Sequence, residues 1–226
     1  MAIWLNTWFY QLDKAVFVAM NSINCGFLNL FCKFFSLFGE KGIPLILASL
    51  VLMCFAKTRK MGFCMLFAIA VGALFTNIIL KEAVARSRPF TKEEFNPLWI
   101  SAGSVKEGEF SFPSGHTTAT TAFVFALFLS WDNKWSWIAL PFALLMAFCR
   151  VYLIVHYTTD VIAGMLVGII AGVISFYVTK IVFIYIEKYK DKKLCKFALE
   201  FDVMNFLKKG NTNQEQVSNE EQENKD

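Results

Sequence analysis

Two stretches of the chain, residues 61–80 and residues 161–179, contain no charged side chain and are almost entirely apolar. A helix needs about 20 predominantly apolar residues to cross the hydrocarbon core of a bilayer, so each stretch is long enough for one crossing. The composition agrees, because 56% of the 226 residues are hydrophobic and only 18% are charged, against about 45–50% and about 25% in soluble domains. The sequence therefore predicts an integral membrane protein and excludes a soluble enzyme.

Three further apolar segments bring the number of predicted spans to five. A tilted sixth span within residues 15–38 is an open alternative, although Lys33 would be costly inside lipid. The predicted fold class is all-α: a multi-pass transmembrane helical bundle of five or six spans, with interfacial amphipathic helices. The five predicted spans are residues 43–56, 61–80, 113–131, 135–149 and 161–179.

The ends of the chain differ from its middle in charge and periodicity. Within residues 1–38, apolar residues such as Leu5, Trp8 and Leu12 recur at helical spacing, which is typical of an amphipathic helix in the membrane interface. Residues 39–186 form the predicted membrane-embedded domain. The remaining segments are a basic amphipathic cytoplasmic helix at residues 187–209 and a disordered acidic tail at residues 210–226.

Basic residues near the span ends predict the orientation of the bundle. Lys57, Arg59 and Lys60 form a basic turn between the first two spans, and a lysine cluster follows span five. Cytoplasmic loops carry an excess of Lys and Arg, and an even number of crossings separates these clusters, so both are predicted to be cytoplasmic. Residues 81–112 and 150–160 then face outward from the plasma (inner) membrane, and the C-terminal tail is cytoplasmic. Because the basic clusters flank apolar spans, the net charge of +4 predicts no nucleic-acid partner.

Three islands of polar residues lie on the predicted outward side. The chain's two histidines, His116 and His156, both fall within them. Each island alone has a structural explanation, as a juxtamembrane cation cluster, a helix cap or a structural His–Asp pair. Together they offer cations and backbone N–H groups for phosphate oxygens, a nucleophile and an acid, which suits phosphoryl transfer. The islands are residues 81–89, 112–118 and 149–160.

The spacing within the second and third islands gives a chemical reason for each group. Ser114 occupies a natural helix-capping position, and Gly115 lets backbone N–H groups approach a ligand closely. The N-terminus of such a helix is an anion site. His156 and Asp160 are four residues apart, so a helix would bring them within reach. An aspartate that accepts from one imidazole nitrogen leaves the other nitrogen free to attack.

Three motifs within the islands resemble the signatures of the type 2 phosphatidic acid phosphatase (PAP2) superfamily. Their order and their flanking spans are similar to those of the membrane branch of that superfamily, and the resemblance covers nearly the whole chain except the tail. Two positions depart from the family pattern: Cys149 stands where Ser is usual, and Thr158 stands where Pro is common. The motifs are Lys81-x6-Arg88-Pro89, Pro113-Ser114-Gly115-His116 and Arg150-x5-His156-x3-Asp160.

The resemblance implies a role for each motif residue. His156 would attack phosphorus and form a phosphohistidine, Asp160 would orient it, and His116 would protonate the leaving oxygen. Because cations would balance the phosphate charge, no metal site and no cofactor are predicted. Arg86 and Lys92 are further cations that could meet a second phosphate. The residues that would bind the substrate phosphate are Lys81, Arg88, Ser114, Gly115 and Arg150.

The leading interpretation is an integral-membrane, metal-independent lipid phosphatase. It resembles the bacterial undecaprenyl-diphosphate phosphatases, which convert undecaprenyl diphosphate to undecaprenyl phosphate. Phosphatidic acid, phosphatidylglycerophosphate and lipid A phosphates are alternative substrates. A non-enzymatic lipid-binding membrane protein is a second hypothesis, which would not need the spacing of His156 and Asp160; a haloperoxidase is disfavoured because those relatives are soluble. The sequence makes no prediction of oligomeric state.

Overall fold

The computed structural model describes residues 2–108, 110–131 and 133–204, so the predicted tail and the end of the predicted C-terminal helix lie outside the described residues. Within these ranges the regular structure is helical, apart from one isolated antiparallel bridge between Ser87 and Phe110. The predicted all-α fold class is confirmed. The α-helices are α1 (Ala2–Trp8), α2 (Tyr10–Ser22), α3 (Gly26–Ser36), α4 (Ile43–Met53), α5 (Arg59–Ala73), α6 (Lys81–Val84), α7 (Asn96–Ser101), α8 (Gly115–Ser130), α9 (Leu140–Tyr152), α10 (Thr158–Lys188) and α11 (Lys193–Glu200).

Three helical stretches of the described chain are long and apolar enough to cross a membrane: Gly26–Met53, Arg59–Val84 and Thr158–Lys188. The second and third of these contain predicted spans two and five. The apolar helix α8 has 16 residues, and it coincides with predicted span three. The apolar stretch Ser136–Tyr152 is also shorter and coincides with predicted span four. The number of crossings, five or six, stays a prediction.

The stretch Gly26–Met53 consists of two helices, because α3 and α4 are separated by the turn Leu37–Gly42. Glu40 and Lys41 leave helical backbone geometry in this turn. The break allows α3 to lie at an angle to α4, so the interfacial placement of residues 1–38 stays a prediction. The exposed side chains of α3 are apolar, as expected for contact with lipid, and include Phe27, Leu30 and Phe34.

The helices α5, α8 and α10 pack against one another and form the centre of the bundle. Their contact surface contains small buried residues, among them Ala68, Ala122 and Ala171. In a bilayer no hydrophobic effect drives helices together, so small residues that let backbones approach closely favour packing. The helices α3 and α9 pack beside this group through an apolar cluster that includes Phe35 and Met146.

The helix α10 approaches α8 along a face of three glycines, Gly164, Gly168 and Gly172. A Cβ atom added at Gly168 would lie 2.6 Å from Thr121 Cβ, and one added at Gly164 would lie 2.8 Å from the carbonyl oxygen of Ser114. Real Cβ atoms do not approach other atoms so closely. The glycines therefore hold the start of α10 directly against the start of α8, where two of the polar islands meet.

The predicted cytoplasmic segments lie together at the end of the bundle opposite the starts of α8 and α10. Arg59 donates hydrogen bonds to the carbonyl oxygens of Ala198 (2.8 Å) and Leu199 (2.9 Å) in α11. Lys60 forms an ion pair with Glu187 at 2.8 Å. The basic turn and the C-terminal segment thus share one end of the protein, as the orientation argument requires.

We expect Gly168→Ala to lower the thermal stability of the purified protein in detergent, because the new methyl group overlaps α8. Overpacking of this kind costs about 1–3 kcal/mol. Gly26→Ala is the matched control, since a Cβ atom there meets nothing within 4 Å. Equal melting temperatures for the two variants would contradict the close packing of α8 and α10.

Candidate active site

A cavity of about 610 Å³ opens at the end of the bundle opposite the basic turn. It lies between the end of the α5 stretch, the N-terminus of α8 and the segment that follows α7. Five of the eight predicted site residues line it: Lys81, Arg88, Gly115, His116 and His156. The other three, Ser114, Arg150 and Asp160, are buried outside its lining.

Two buried arginines place positive charge beside His156. Arg88 Nη1 donates to the carbonyl oxygen of Val155 at 3.0 Å and lies 3.3 Å from His156 Nε2. Arg150 is equally buried. Burial lowers the pKa of Arg88 to about 10, so its guanidinium stays protonated at neutral pH. Arginine presents its donors in a planar fork that matches phosphate oxygens, so this pair is suited to bind an anion.

The N-terminus of α8 forms another wall of the cavity. The Ser114 hydroxyl oxygen accepts from the Thr117 hydroxyl (3.0 Å) and from the Thr117 N–H (3.5 Å), so it caps the helix. Gly115 and His116 line the cavity. The first backbone N–H groups of any helix have no hydrogen-bond partner inside that helix, so they are available to a ligand. Lys81 Nζ lies 4.0 Å from the position that a Cβ atom would take at Gly115. A Cβ atom there would be in ordinary van der Waals contact with the amine, so Gly115 brings the helix end close to Lys81.

His156 follows a strained backbone position, since Ile154 has a φ of +55°, which is rare for a β-branched residue. Arg88 can only donate, so His156 Nε2 is the acceptor and the ring proton is on Nδ1. His156 Nδ1 lies 3.6 Å from Asp160 Oδ2, too far for a hydrogen bond. Burial, with Arg88 and Arg150 nearby, lowers the pKa of His156 well below its usual value. The imidazole is therefore neutral at pH 7.

Both oxygens of Asp160 already have donors. Oδ2 accepts from the Tyr157 N–H at 2.9 Å, which caps the start of α10. Oδ1 accepts from Arg86 Nη1 at 2.7 Å, and neither side chain of this ion pair is exposed. The carboxylate is thus held in one orientation, with Oδ2 towards the ring of His156.

Each of the three side-chain nitrogens of Arg86 donates a hydrogen bond. Nε donates to Asn6 Oδ1 (2.8 Å), Nη1 also donates to Thr159 Oγ1 (2.6 Å), and Nη2 pairs with Asp13 Oδ2 (3.1 Å). Its guanidinium also lies 3.7 Å from the centre of the Tyr157 ring. The interpretation of Arg86 as a cation for a second phosphate is therefore wrong. A pattern of basic residues cannot distinguish an arginine that turns inward from one that faces a ligand.

Asp13 is a part of this centre that the sequence did not indicate. It lies within the predicted interfacial segment 1–38, where an acidic side chain would be expected to face water, but the structure buries it. Its Oδ1 accepts from the Thr158 N–H at 3.1 Å. A proline at position 158, common in the family, would have no N–H to donate, so this departure from the family pattern makes the contact possible. The second departure, Cys149, lies in an apolar cluster with Cys32.

Glu40 is a second carboxylate that the sequence analysis missed. Its Oε2 lies 3.4 Å from His116 Nε2, and it lines the cavity from the turn between α3 and α4. A Cβ atom at Gly39 would lie 2.8 Å from His116 Cδ2, so this turn packs directly on the imidazole. The only available signal was a charged pair, Glu40 and Lys41, at the outward start of a predicted span.

Glu107 is the third residue that sequence reasoning missed. Its Oε2 lies 3.0 Å from Arg88 Nη1, and its other oxygen contacts Arg150 Nη2. The adjacent carbonyl oxygen of Gly108 accepts from Arg88 Nε. Glu107 also lines the cavity. Its position in a loop of mixed charge carries no sequence signal of its own.

The residues around the cavity suit an anion. Lys81, Arg88 and Arg150 bring three positive charges to it or beside it, and these would repel a metal ion. Among the described residues, no group of three or more His, Cys, Asp or Glu side chains is placed to hold a metal. Metal independence stays a prediction.

Comparison with known proteins agrees with this geometry. The relative from Sulfolobus acidocaldarius, an undecaprenyl-diphosphatase, is 31% identical over 154 residues, which are 68% of this chain and 71% of that protein. A lipid A 4'-phosphatase from Porphyromonas gingivalis is 27% identical over 168 residues, 70% and 69% of the two chains. The crystal structure of a transmembrane PAP2-type phosphatidylglycerolphosphate phosphatase from Bacillus subtilis superposes with a TM-score of 0.61 at 28% identity, and the match covers 84% of this chain and 92% of that one.

Residues 61–183 match the PAP2 superfamily, and this range contains all three motifs. The fold and the cavity thus define a membrane lipid phosphatase. The chain belongs to the PAP2 superfamily.

We expect Asp13→Ala to destabilise the protein strongly, because it leaves the buried Arg86 short of one partner and the Thr158 N–H without its acceptor. Removing one partner of a buried ion pair costs about 3–5 kcal/mol. Thr158→Pro leaves the ion pair intact and removes the N–H donor to Asp13, so the loss of stability should be nearer the value for one hydrogen bond, about 1 kcal/mol. Thermal unfolding in detergent measures both.

Gln11→Ala is the matched control for Asp13→Ala, because Gln11 lies in the same helix and is exposed. It should leave the melting temperature unchanged. If Asp13→Ala behaves like Gln11→Ala, the N-terminal helix does not support the site.

Proposed function

We propose that the protein removes a phosphate group from a membrane lipid through a phosphohistidine at His156. One observation carries the proposal: His156 Nε2 lies 3.3 Å from Arg88 Nη1 in a cavity that His116 and Lys81 also line. A neutral imidazole nitrogen beside a fixed guanidinium is placed to attack a phosphorus atom whose oxygens that guanidinium binds.

In the first step, His156 Nε2 forms a bond to phosphorus while the bond from phosphorus to the lipid oxygen breaks. The electron pair of the broken bond goes to the leaving oxygen, which takes a proton from His116. Arg88, Lys81 and Arg150 balance the charge on the three remaining oxygens, together with the N–H groups at the start of α8.

In the second step, a water molecule attacks the phosphohistidine and gives its proton to His116. The bond from phosphorus to Nε2 breaks, inorganic phosphate leaves, and both histidines return to their initial protonation states. Glu40 lies 3.4 Å from His116 and is half exposed, so it can stabilise the protonated imidazole that the first step needs and that the second step restores.

Asp160 supports the attack by holding the Nδ1 proton of His156. The present separation of 3.6 Å has to shorten by less than 1 Å to give a hydrogen bond. Catalytic hydrogen bonds are often long in the absence of substrate and tighten when it binds. As Nε2 bonds to phosphorus, the imidazole ring becomes positively charged, and this charge attracts the Asp160 carboxylate to Nδ1.

Undecaprenyl diphosphate is the proposed substrate, with phosphatidic acid, phosphatidylglycerophosphate or a lipid A phosphate as alternatives. The relative from Sulfolobus acidocaldarius supports the diphosphate, whereas the other two relatives support the alternatives. Lys92 gives no support, because its amine lies over aromatic rings such as Tyr10 and Phe95. Lys41 and Lys106 support the diphosphate, because both are exposed at the cavity and could bind a second phosphate.

Acid-quenched capture of phosphate from radiolabelled lipid substrate tests the roles of the histidines. We expect His156→Ala to abolish both turnover and capture, because no nucleophile remains. His116→Ala should reduce the rate by about 10²–10⁴-fold on a monophosphate ester, whose alkoxide leaving group needs a proton. The same change should cost much less on a diphosphate, whose leaving group is a weaker base.

The wild-type protein supplies the reference in each assay, and circular dichroism verifies that the variants are folded. Phosphoenzyme in the His156→Ala variant, or full activity without His156, would falsify the covalent scheme. Failure of the wild type to hydrolyse any of the four lipid classes would refute the proposed function itself.

The proposed orientation places the cavity outside the plasma membrane and the C-terminal segment in the cytoplasm. Single cysteines at Val105 and Lys57, both exposed at opposite ends of the bundle, can be compared after the six native cysteines are replaced. We expect an impermeant thiol reagent to label Val105→Cys in intact cells, whereas Lys57→Cys should react only after lysis. The reverse pattern would place the active site in the cytoplasm.

A further inference from the structure

The carboxylate of Glu107 lies between the two arginines that the proposed function assigns to phosphate. Its Oε2 is 3.0 Å from Arg88 Nη1, and Oε1 contacts Arg150 Nη2. Each carboxylate oxygen thus pairs with one arginine, as two oxygens of a phosphate would. The side chain is 22% exposed and lines the cavity, so it reaches this position from the cavity side.

The charge at this point is only partly balanced. Arg88 and Arg150 are almost fully buried, with side-chain exposures of 4% and 3%, and they share the single charge of Glu107. Arg150 Nε has no hydrogen-bond partner although it is buried. One carboxylate therefore leaves a buried donor and about one positive charge unmet. A phosphate dianion can satisfy both, because it has more oxygens and one more charge.

The segment that carries Glu107 is held at two points outside the contact with the arginines. On one side, the Ser104 hydroxyl donates to the carbonyl oxygen of Leu153 at 2.7 Å, just after Gly103, whose φ is +62°. On the other side, Phe110 pairs with Ser87 in the isolated bridge. Val105 and Lys106 are exposed, so within residues 105–108 the inward contacts are those of Glu107 and the Gly108 carbonyl oxygen with the arginines.

We propose that Glu107 is an intramolecular competitor for the phosphate site. In the free protein its carboxylate occupies the two arginines, and an incoming phosphate group displaces it. When phosphate has been cleaved from the lipid, return of the carboxylate releases it. Glu107 thereby weakens the binding of inorganic phosphate and limits inhibition by this product. The inference rests on the proposed function, since it assumes that Arg88 and Arg150 receive the phosphate.

A purely structural role for Glu107 makes the opposite prediction. If the carboxylate only holds the arginines in place, its removal would disorganise them and weaken the binding of phosphate. If it competes, its removal would strengthen that binding. The direction of one measured affinity therefore separates the two roles.

The test is the affinity of the full-length protein in detergent for inorganic phosphate, measured by isothermal titration calorimetry and by competitive inhibition. We expect Glu107→Gln to bind phosphate about tenfold more tightly than wild type, because the neutral amide gives up the charge-assisted part of its contact with the arginines. Glu107→Asp keeps the charge but is one methylene shorter and cannot bridge both arginines, so an intermediate gain is expected. It serves as the readout if the amide variant does not fold.

Glu93→Gln is the matched control, because Glu93 is exposed in the same outward segment. Its affinity for phosphate should equal that of wild type. Unchanged or weaker phosphate binding by a folded Glu107 variant would overturn the proposal. The calorimetric comparison is independent of turnover, so it stays decisive even if none of the tested lipids proves to be a substrate.

Discussion

The arrangement of the site depends on the buried ion pair between Arg86 and Asp160, whose closest atoms are 2.7 Å apart. The two residues are 74 positions apart in the chain, and their contact joins the segment before Arg88 to the start of α10. A buried ion pair offsets its desolvation only if the geometry is good and the remaining donors and acceptors are satisfied. Both conditions hold, since Asp13 and Asn6 take the other nitrogens of the guanidinium and the Tyr157 N–H takes the second oxygen of Asp160.

Arg86 and Arg88 are two residues apart in the sequence but have different partners. Ala85 adopts a left-handed conformation, with a φ of +48°, which ends α6 and starts an extended segment. Residues two apart in extended chain lie on the same side and about 6.6 Å from each other. Arg86 therefore reaches Asp160, and Arg88 reaches His156, which lies one helical turn before Asp160 in the sequence. One short segment thus fixes the carboxylate and presents a cation at the imidazole nitrogen that faces the cavity.

Much of the fold and of the site was predictable from local features of the sequence, and the rest depends on contacts between distant segments. The uncharged stretches 61–80 and 161–179 predicted two long helices correctly, because the cost of burying charge in lipid leaves a direct mark on composition. The motif residues were recognisable because their residue types and spacing resemble the signatures of the family. Asp13, Glu40 and Glu107 carry no such signal. Each is a single acidic residue whose partner lies far away in the chain, so only the packed structure shows that it faces His116 or one of the arginines.

The two histidines differ in their access to water, and this difference matches the division of labour in the proposed mechanism. His156 is 1% exposed, behind Arg88 and against α10. His116 is 13% exposed, and its partner Glu40 is 56% exposed. A nucleophile benefits from a dry environment, because water would compete with phosphorus for the nitrogen lone pair and would screen the guanidinium. An acid that later activates water has to exchange protons with solvent. The turn between α3 and α4 provides that route, and since Gly39 packs against the His116 ring, the same backbone break that separates these helices also brings Glu40 to the imidazole.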